Sequence, residues 1–167
     1  IQFAYQEGSG GIAEALGLAE DFAGTEKIAV ILGDNIFDEN MQQYIKDFDQ
    51  QKKGAKLFFK EVSDPHRFGI GEFNHNTLVA IEEKPADPKS NFACTGLYLY
   101  DNQVFNVIKT LKPSGRGELE ITDVNNFYIR QGTATHAHLQ GFWGDAGTFE
   151  TLFKSAEFMK KKGELRR

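Results

Sequence analysis

The run Ile28–Leu32, inside "KIAVILGDNIFDEN", sets five apolar residues side by side with nothing polar between them. A strand with one wet face alternates, whereas a strand without alternation needs cover on both faces. Cover on both faces means helices on either side of a sheet, so this run commits the chain to an α/β architecture. Its flanks agree. Upstream, "IQFAYQ" reads as a strand and "EGSGG" as a glycine turn, after which Ile12, Ala15, Leu16, Ala19, Phe22 and Ala23 recur at helical spacing until Gly24. Downstream, Asp38 is placed to cap a helix carrying Met41, Tyr44, Ile45 and Phe48 on one stripe and ended by Gly54, and "AKLFFKEV" follows as a strand. This order predicts two strand-helix-strand crossovers and a largely parallel sheet.

Beyond Asp64-Pro65 the pattern becomes local. "RFGIGEFN", the polar turn "NHNT" and "LVAIEEKP" predict a hairpin, and "NFACTGLYLYD" a further strand. Helical spacing returns in "QVFNVIKTL" and "ELEITDVNNFYIRQG", where Leu119, Val124, Phe127 and Tyr128 share a face. "TATHAHLQ" reads as a strand, and "GFWGDAGTFETLFKSAEFMKK" as a glycine-flanked turn and a last helix, with "KKKGELRR" a frayed, solvated tail. No linker, repeat or low-complexity block divides residues 1–167, which read as a single domain.

Composition narrows the partners. A net charge of -5, from carboxylates scattered along the chain, argues against nucleic acid or an anionic membrane and for small solutes. The lone cysteine, Cys94, excludes an intrachain disulfide and a cysteine zinc cluster, and points to a reducing cytoplasm. No apolar run approaches the roughly 20 residues of a membrane span, and there is no signal-peptide pattern. The chain opens at Ile1 without methionine, already inside an apparent strand, so the expectation is a segment upstream.

In an open parallel sheet ligands collect at the carboxyl ends of the strands. Asp34 stands at such an end, where a carboxylate is costly unless a divalent cation with phosphate oxygens offsets its desolvation. The plainer explanation, a cap on the next turn shared with Asn35, has nearly equal weight. Asp145 in "FWGDAGT" is a second acidic turn, flanked by glycine and followed by a helix; by itself it reads as an N-cap, but two such aspartates from separate strand ends can share one Mg²⁺. In "EEKP", Lys84 is held by Pro85 at a strand end and suits a phosphate as a point charge, and Glu83 suits sugar hydroxyls; the default for such a tetrapeptide is a surface charge cluster. The turn "YQEGSGGIAEA" lacks both the P-loop ending and a dinucleotide fingerprint.

Other chemistries have less support. No serine lies in a Gly-x-Ser-x-Gly elbow. His136 and His138 alternate on one strand face with no acidic residue between them, and read as a solvated strand edge rather than a metal pair. Cys94, among apolar strand residues, packs rather than reacts.

Taken together, "VILGDNIF", "DPHRFGIGEF", "IEEKP", "KSNFACTGLYLYD", "LKPSGRGELEITDVNNFY" and "WGDAGT" resemble, in order and separation, the sugar-phosphate nucleotidylyltransferases. The block Gly115–Asp123, "GRGELEITD", is the most discriminating, being long and polar with no folding rule to demand it. The resemblance implies a Rossmann-like, mostly parallel mixed sheet with flanking helices, of the nucleotide-diphospho-sugar transferase type and incomplete at the N-terminus. It implies that Asp34 and Asp145 hold a catalytic Mg²⁺, that Lys84 binds the phosphate of a sugar 1-phosphate with Glu83 on its hydroxyls, and that Gly69, Cys94 and Thr95 line the sugar pocket through backbone groups. Gln6 and Gly11 are implied to face a thymine base. The implied reaction joins dTMP from dTTP to glucose 1-phosphate and releases pyrophosphate, by alignment and charge neutralisation rather than by a protein nucleophile.

Two departures stand out. Ala146 replaces a threonine, which leaves the neighbouring carboxylate in place. The family's N-terminal strand and glycine-rich triphosphate loop are expected to precede Ile1, so the chain by itself is expected to be inactive, completed by an N-terminal segment or acting as a homo-oligomer. A non-catalytic sugar-phosphate-binding or assembly module, and a transferase using UTP, are the alternatives.

Overall fold

The computed structural model describes residues 1–165, the side chain of Leu165 excepted. In chain order it contains α1 (Ile12–Gly17), α2 (Glu20–Ala23), β1 (Ile28–Ile31), β2 (Asn35–Asp38), α3 (Gln42–Gln50), β3 (Ala55–Glu61), a 3₁₀ turn at Pro65–Arg67, β4 (Gly69–Asn74), β5 (Thr77–Glu83), β6 (Phe92–Tyr100), α4 (Gln103–Ile108), α5 (Ile121–Arg130), β7 (Ala134–His138), β8 (Phe142–Asp145) and α6 (Phe149–Leu165).

Six strands form one sheet in the order β5-β4-β6-β3-β7, with β1 also on β6, and β2 and β8 form a separate two-stranded ribbon. Tyr100 lies opposite both Ile28 and Ala55, so β1 and β3 flank β6 on opposite edges. Both pair with it antiparallel, as do β4 with β5 and β4 with β6; among the described residues only β3 and β7 run parallel. The expected mostly parallel sheet is therefore corrected to a mixed, mostly antiparallel one. The crossover through α3 does set β1 and β3 in one direction, but β6, far along the chain, is inserted between them.

The strand pattern without alternation is found at the centre of the sheet, where both faces are covered. In β3, Ala55 to Phe59 are all buried. On one face Leu57, Phe59, Tyr98 and Tyr100 pack with α1, α4 and α5; on the other, Phe58, Leu97 and Leu99 pack with Phe48 of α3 and with Phe37 and Tyr44. β1 departs from expectation: Ala29 and Ile31 are exposed while Ile28 and Val30 are partly covered, so only one face of this strand meets a helix layer. "IQFAYQ" forms no strand, and Ile1, Phe3 and Tyr5 are exposed, so the first of the two expected crossovers is absent from the described structure.

Several boundaries moved for local reasons. Asp38 belongs to β2, and the first turn of α3 is met by Asn40, whose Oδ1 accepts the Gln42 N–H at 3.0 Å. At the other end of α3 the Lys27 ammonium donates to the carbonyls of Phe48, Asp49 and Gln51, satisfying the orphan acceptors of the helix terminus. The helix α6 continues through Lys160–Leu165, where a frayed tail was expected; Arg166 and Arg167 lie outside the described residues. No helix among the described residues is long and apolar enough to cross a membrane.

Candidate active site

The ribbon β2–β8 brings the two expected aspartates together. Asn35 pairs with Asp145, and the Asp34 carbonyl accepts the Ala146 N–H at 2.8 Å, so Asp34 and Asp145 stand at the same end of one ladder. Neither aspartate caps a helix, although Asp145 caps the turn at Gly147. Asp34 precedes a strand, and α6 is capped by Thr148, whose Oγ1 accepts the Thr151 N–H at 3.2 Å while the Thr151 hydroxyl accepts the Thr148 N–H at 3.1 Å. Each aspartate has its Oδ1 committed, Asp34 to the Asn35 amide at 2.8 Å and Asp145 to the Gly147 N–H at 3.1 Å. Each Oδ2 has no protein hydrogen bond among the described residues.

This donor set fits Mg²⁺. Among the described residues no group of three or more His, Cys, Asp or Glu could hold a metal by itself. Mg²⁺ does not ask for one, since it commonly takes one or two carboxylates and completes its octahedron with phosphate oxygens and water.

The second part of the site is built on the β4–β5 hairpin. Gly69 registers with Glu83, and Glu83 Oε2 accepts the Thr122 hydroxyl at 2.6 Å from the first turn of α5. A Cβ on Gly69 would come within 3.1 Å of that same oxygen, so the glycine leaves room for the carboxylate. Lys84, next along, is in the left-handed region at φ 46°, with its N–H donated to the Phe68 carbonyl at 3.0 Å. A non-glycine residue there is strained, and Pro85 behind it restricts it further. Observed strain of this kind gathers at functional positions. The Lys84 ammonium forms no ion pair among the described residues, which leaves it free for an anion.

Arg116, which the sequence reading did not single out, lies beside this pair. Its guanidinium is 2.8 Å from Glu120 and 3.9 Å from Glu83. Burial acts to raise the Glu120 carboxyl, but hydrogen bonds from Ser114 and Arg116 and the charges of Arg116 and Lys84 hold it below the ordinary value. The Cys94 thiol is pushed up by burial and then by the Glu83 charge, which makes it unreactive. Thr95 is fully buried, and its hydroxyl has no partner among the described residues.

The discriminating block Gly115–Asp123 links the remaining pieces. Leu119 donates its N–H to the Gly10 carbonyl at 2.7 Å and accepts from Ala13, while Glu120 and Thr122 meet Arg116 and Glu83. Gly11, at φ +94°, lets the turn approach so closely that a Cβ would stand 2.5 Å from the Leu119 carbonyl. Gln6 is tied into the same turn, donating to the Gly11 carbonyl at 3.1 Å and to Glu14 at 2.6 Å. Gln6 and Gly11 are thus brought together in one turn.

The aspartate end and the Lys84 end meet through aromatic rings. Trp143 of β8 and Phe68 lie edge to face at 5.3 Å. Burial first, then the charges of Cys94, Glu83 and Asp34, push the Tyr98 hydroxyl well up, so Glu83 and Asp34 act on the same buried phenol. A cavity of about 810 Å³ opens on the α6 side of this wall, lined by Phe68, Trp143 and Asp145 among others. β7 is an edge strand of its sheet, as expected, but His136 and His138 are half-buried against Phe73 and Phe92 rather than solvated, with His138 4.5 Å from Phe92.

The nucleotidyl transferase family model matches residues 1–162. A glucose-1-phosphate thymidylyltransferase of Neisseria meningitidis is 44% identical over 164 residues, and one of Mycobacterium tuberculosis 39%; each alignment covers 96% of this chain and 57% of the relative. The chain therefore spans little more than half the length of these curated relatives. Among solved structures, a Bacillus anthracis protein assigned as a glucose-1-phosphate thymidylyltransferase, in complex with sucrose, superposes with a TM-score of 0.89 at 49% identity, over 94% of this chain and 64% of that one. A UDP-glucose pyrophosphorylase complexed with UDP-glucose superposes at 0.83 with 22% identity, over 96% and 66% of the two chains, which is a likeness of fold alone.

Proposed function

The chain belongs to the nucleotidyl transferase family, and from that premise we propose that it is the site-bearing part of a glucose-1-phosphate thymidylyltransferase. The observation that carries this reading is the pairing of Asn35 with Asp145, which sets two aspartates with unengaged oxygens beside a wall shared with Glu83 and the strained Lys84. In the proposed reaction an oxygen of the glucose 1-phosphate attacks the α-phosphorus of dTTP. The bond from that phosphorus to the α,β-bridging oxygen breaks, and pyrophosphate leaves with the electron pair.

The protein groups act by placement and charge. Lys84 meets the sugar phosphate as a point charge, with its backbone preset by the Phe68 hydrogen bond. Glu83, steadied by the Thr122 hydroxyl, accepts from the sugar hydroxyls. The backbones at Gly69, Cys94 and Thr95 line the sugar, and Gln6 and Gly11 face the thymine. Asp34 and Asp145 would hold Mg²⁺, which would neutralise phosphate charge there. The unpaired, unreactive thiol of Cys94 suits a reducing compartment, and a cytoplasmic setting is part of the reading.

The test is pyrophosphate release from dTTP and glucose 1-phosphate with Mg²⁺. It compares this chain with a chimera that takes from the Neisseria meningitidis relative the portion this chain does not span, with UTP in a parallel run. Turnover with dTTP by the chimera, reduced at least about a hundredfold by Asp34→Asn or Asp145→Asn, is the expected result. Binding of glucose 1-phosphate without turnover in any form would favour a non-catalytic module.

A further inference from the structure

The carboxamide of Asn35 has three partners on three segments. Its Oδ1 accepts the Gly96 N–H of β6 at 2.8 Å and the indole N–H of Trp143 in β8 at 2.7 Å, and its Nδ2 donates to Asp34 Oδ1 at 2.8 Å. A backbone amide and an indole are donors only, so both must meet the oxygen, and the amide nitrogen is left facing the carboxylate. The amide has no second orientation that satisfies all three groups. β6 carries glycine where it passes this side chain, and a Cβ on Gly96 would stand 2.7 Å from the carboxamide.

We propose that Asn35 is a positioning residue: its carboxamide locks Oδ1 of Asp34, so that Oδ2 is presented to the cation, and it couples that carboxylate to the ring of Trp143. The inference rests on the metal-binding reading of Asp34. A carboxylate free to rotate offers either oxygen in any direction, whereas one held at Oδ1 presents a fixed ligand. The same amide fixes the indole, which forms one wall of the cavity beside Asp145. A cation drawn to Asp34 is therefore felt at Trp143, through one amide group.

Trp143 is the only tryptophan in the sequence, and this supplies a readout independent of turnover. Terbium(III), a hard cation that seeks carboxylate oxygens, emits when a nearby indole is excited, so titrating Tb³⁺ while exciting Trp143 reports binding at this place. The parent is expected to give a saturable signal that Asp34→Asn abolishes. Asn35→Ala is expected to raise the midpoint at least about tenfold, the usual cost of losing a partner that orients a metal ligand, and to change the Trp143 emission of the cation-free protein. A thermal melt checks that this variant is folded. If it is not, Gly96→Ala decides, because the added methyl meets the end of the Asn35 side chain first; midpoint and emission are expected to move together. A parent signal that Asp34→Asn removes but neither Asn35→Ala nor Gly96→Ala alters would overturn this inference alone. No saturable signal in the parent, or one indifferent to Asp34→Asn, would overturn the metal reading and this inference with it.

Discussion

Lys84 holds a left-handed backbone at φ 46° that glycine would adopt without strain. Lys84→Gly is expected to raise stability by up to about 1 kcal/mol, read from urea melts, while weakening glucose 1-phosphate binding at least about tenfold. A gain in stability together with a loss in binding is the signature of strain kept for function. The sequence singled out Lys84 through Pro85, and Asp34 and Asp145 through their glycine-flanked positions after apolar runs. It could not single out Asn35 or Arg116, because their roles depend on which distant segments come to lie beside them. In sequence Asn35 is only the neighbour of an aspartate, and its amide acquires a role when Gly96 and Trp143 arrive from elsewhere in the chain. Arg116 lay inside the block that carried the family resemblance, so a signal was present, but the Glu83 contact that gives it interest is a matter of folding.

At the scale of elements, the outer edge of β5 is closed by a side chain. Asn126 of α5 accepts the Ile81 N–H and donates to the Ile81 carbonyl, both at 2.8 Å, in imitation of a neighbouring strand. Asn126→Ala leaves both backbone groups unpaired and is expected to cost about 1–3 kcal/mol in a urea melt, with faster amide exchange at Ile81. On β7, burial holds both histidines below the ordinary imidazole value, and the charges of His138 and Lys56 push His136 in the same direction. The unfolded chain then binds the more protons, so stability rises with pH. The contribution is complete above about pH 6.5 and is lost as the pH falls through the folded values. Urea melts of His136→Gln/His138→Gln are expected to show a flatter slope than the parent between about pH 5 and 7. The β4–β5 hairpin, β6, β7 and the main helices were legible because each carries its own period. The β2–β8 ribbon was not: its strands are four residues each, of mixed composition, and gain their regularity from pairing across most of the chain. The apolar run of β1 was legible as a strand, but its covering was not, because cover belongs to the neighbours.

At the scale of the whole molecule, the described surface carries several large apolar side chains open to solvent. Phe3 and Phe149 are each over nine-tenths exposed, Ile31 lies on the uncovered face of β1, and Phe153 and Met159 line the open side of α6. The chain by itself is expected to self-associate as its concentration rises, in sedimentation velocity, and Ile31→Lys is expected to reduce this by placing a charge on the open strand. A monodisperse monomer across that range would contradict the expectation. The position of β6 also governs timing. Among the described residues β1 has no ladder partner other than Leu97–Tyr100, and β3 waits over a shorter stretch for the same strand. During synthesis at about 5–20 residues per second, the first core strands wait on the order of several seconds. Through that interval Ile28–Leu32 lacks the one ladder partner that the described residues give it, and the step that supplies it is the threading of one late strand between two early ones. Refolded by itself, this chain gains from a chaperone that shields Ile28–Leu32 until β6 has arrived.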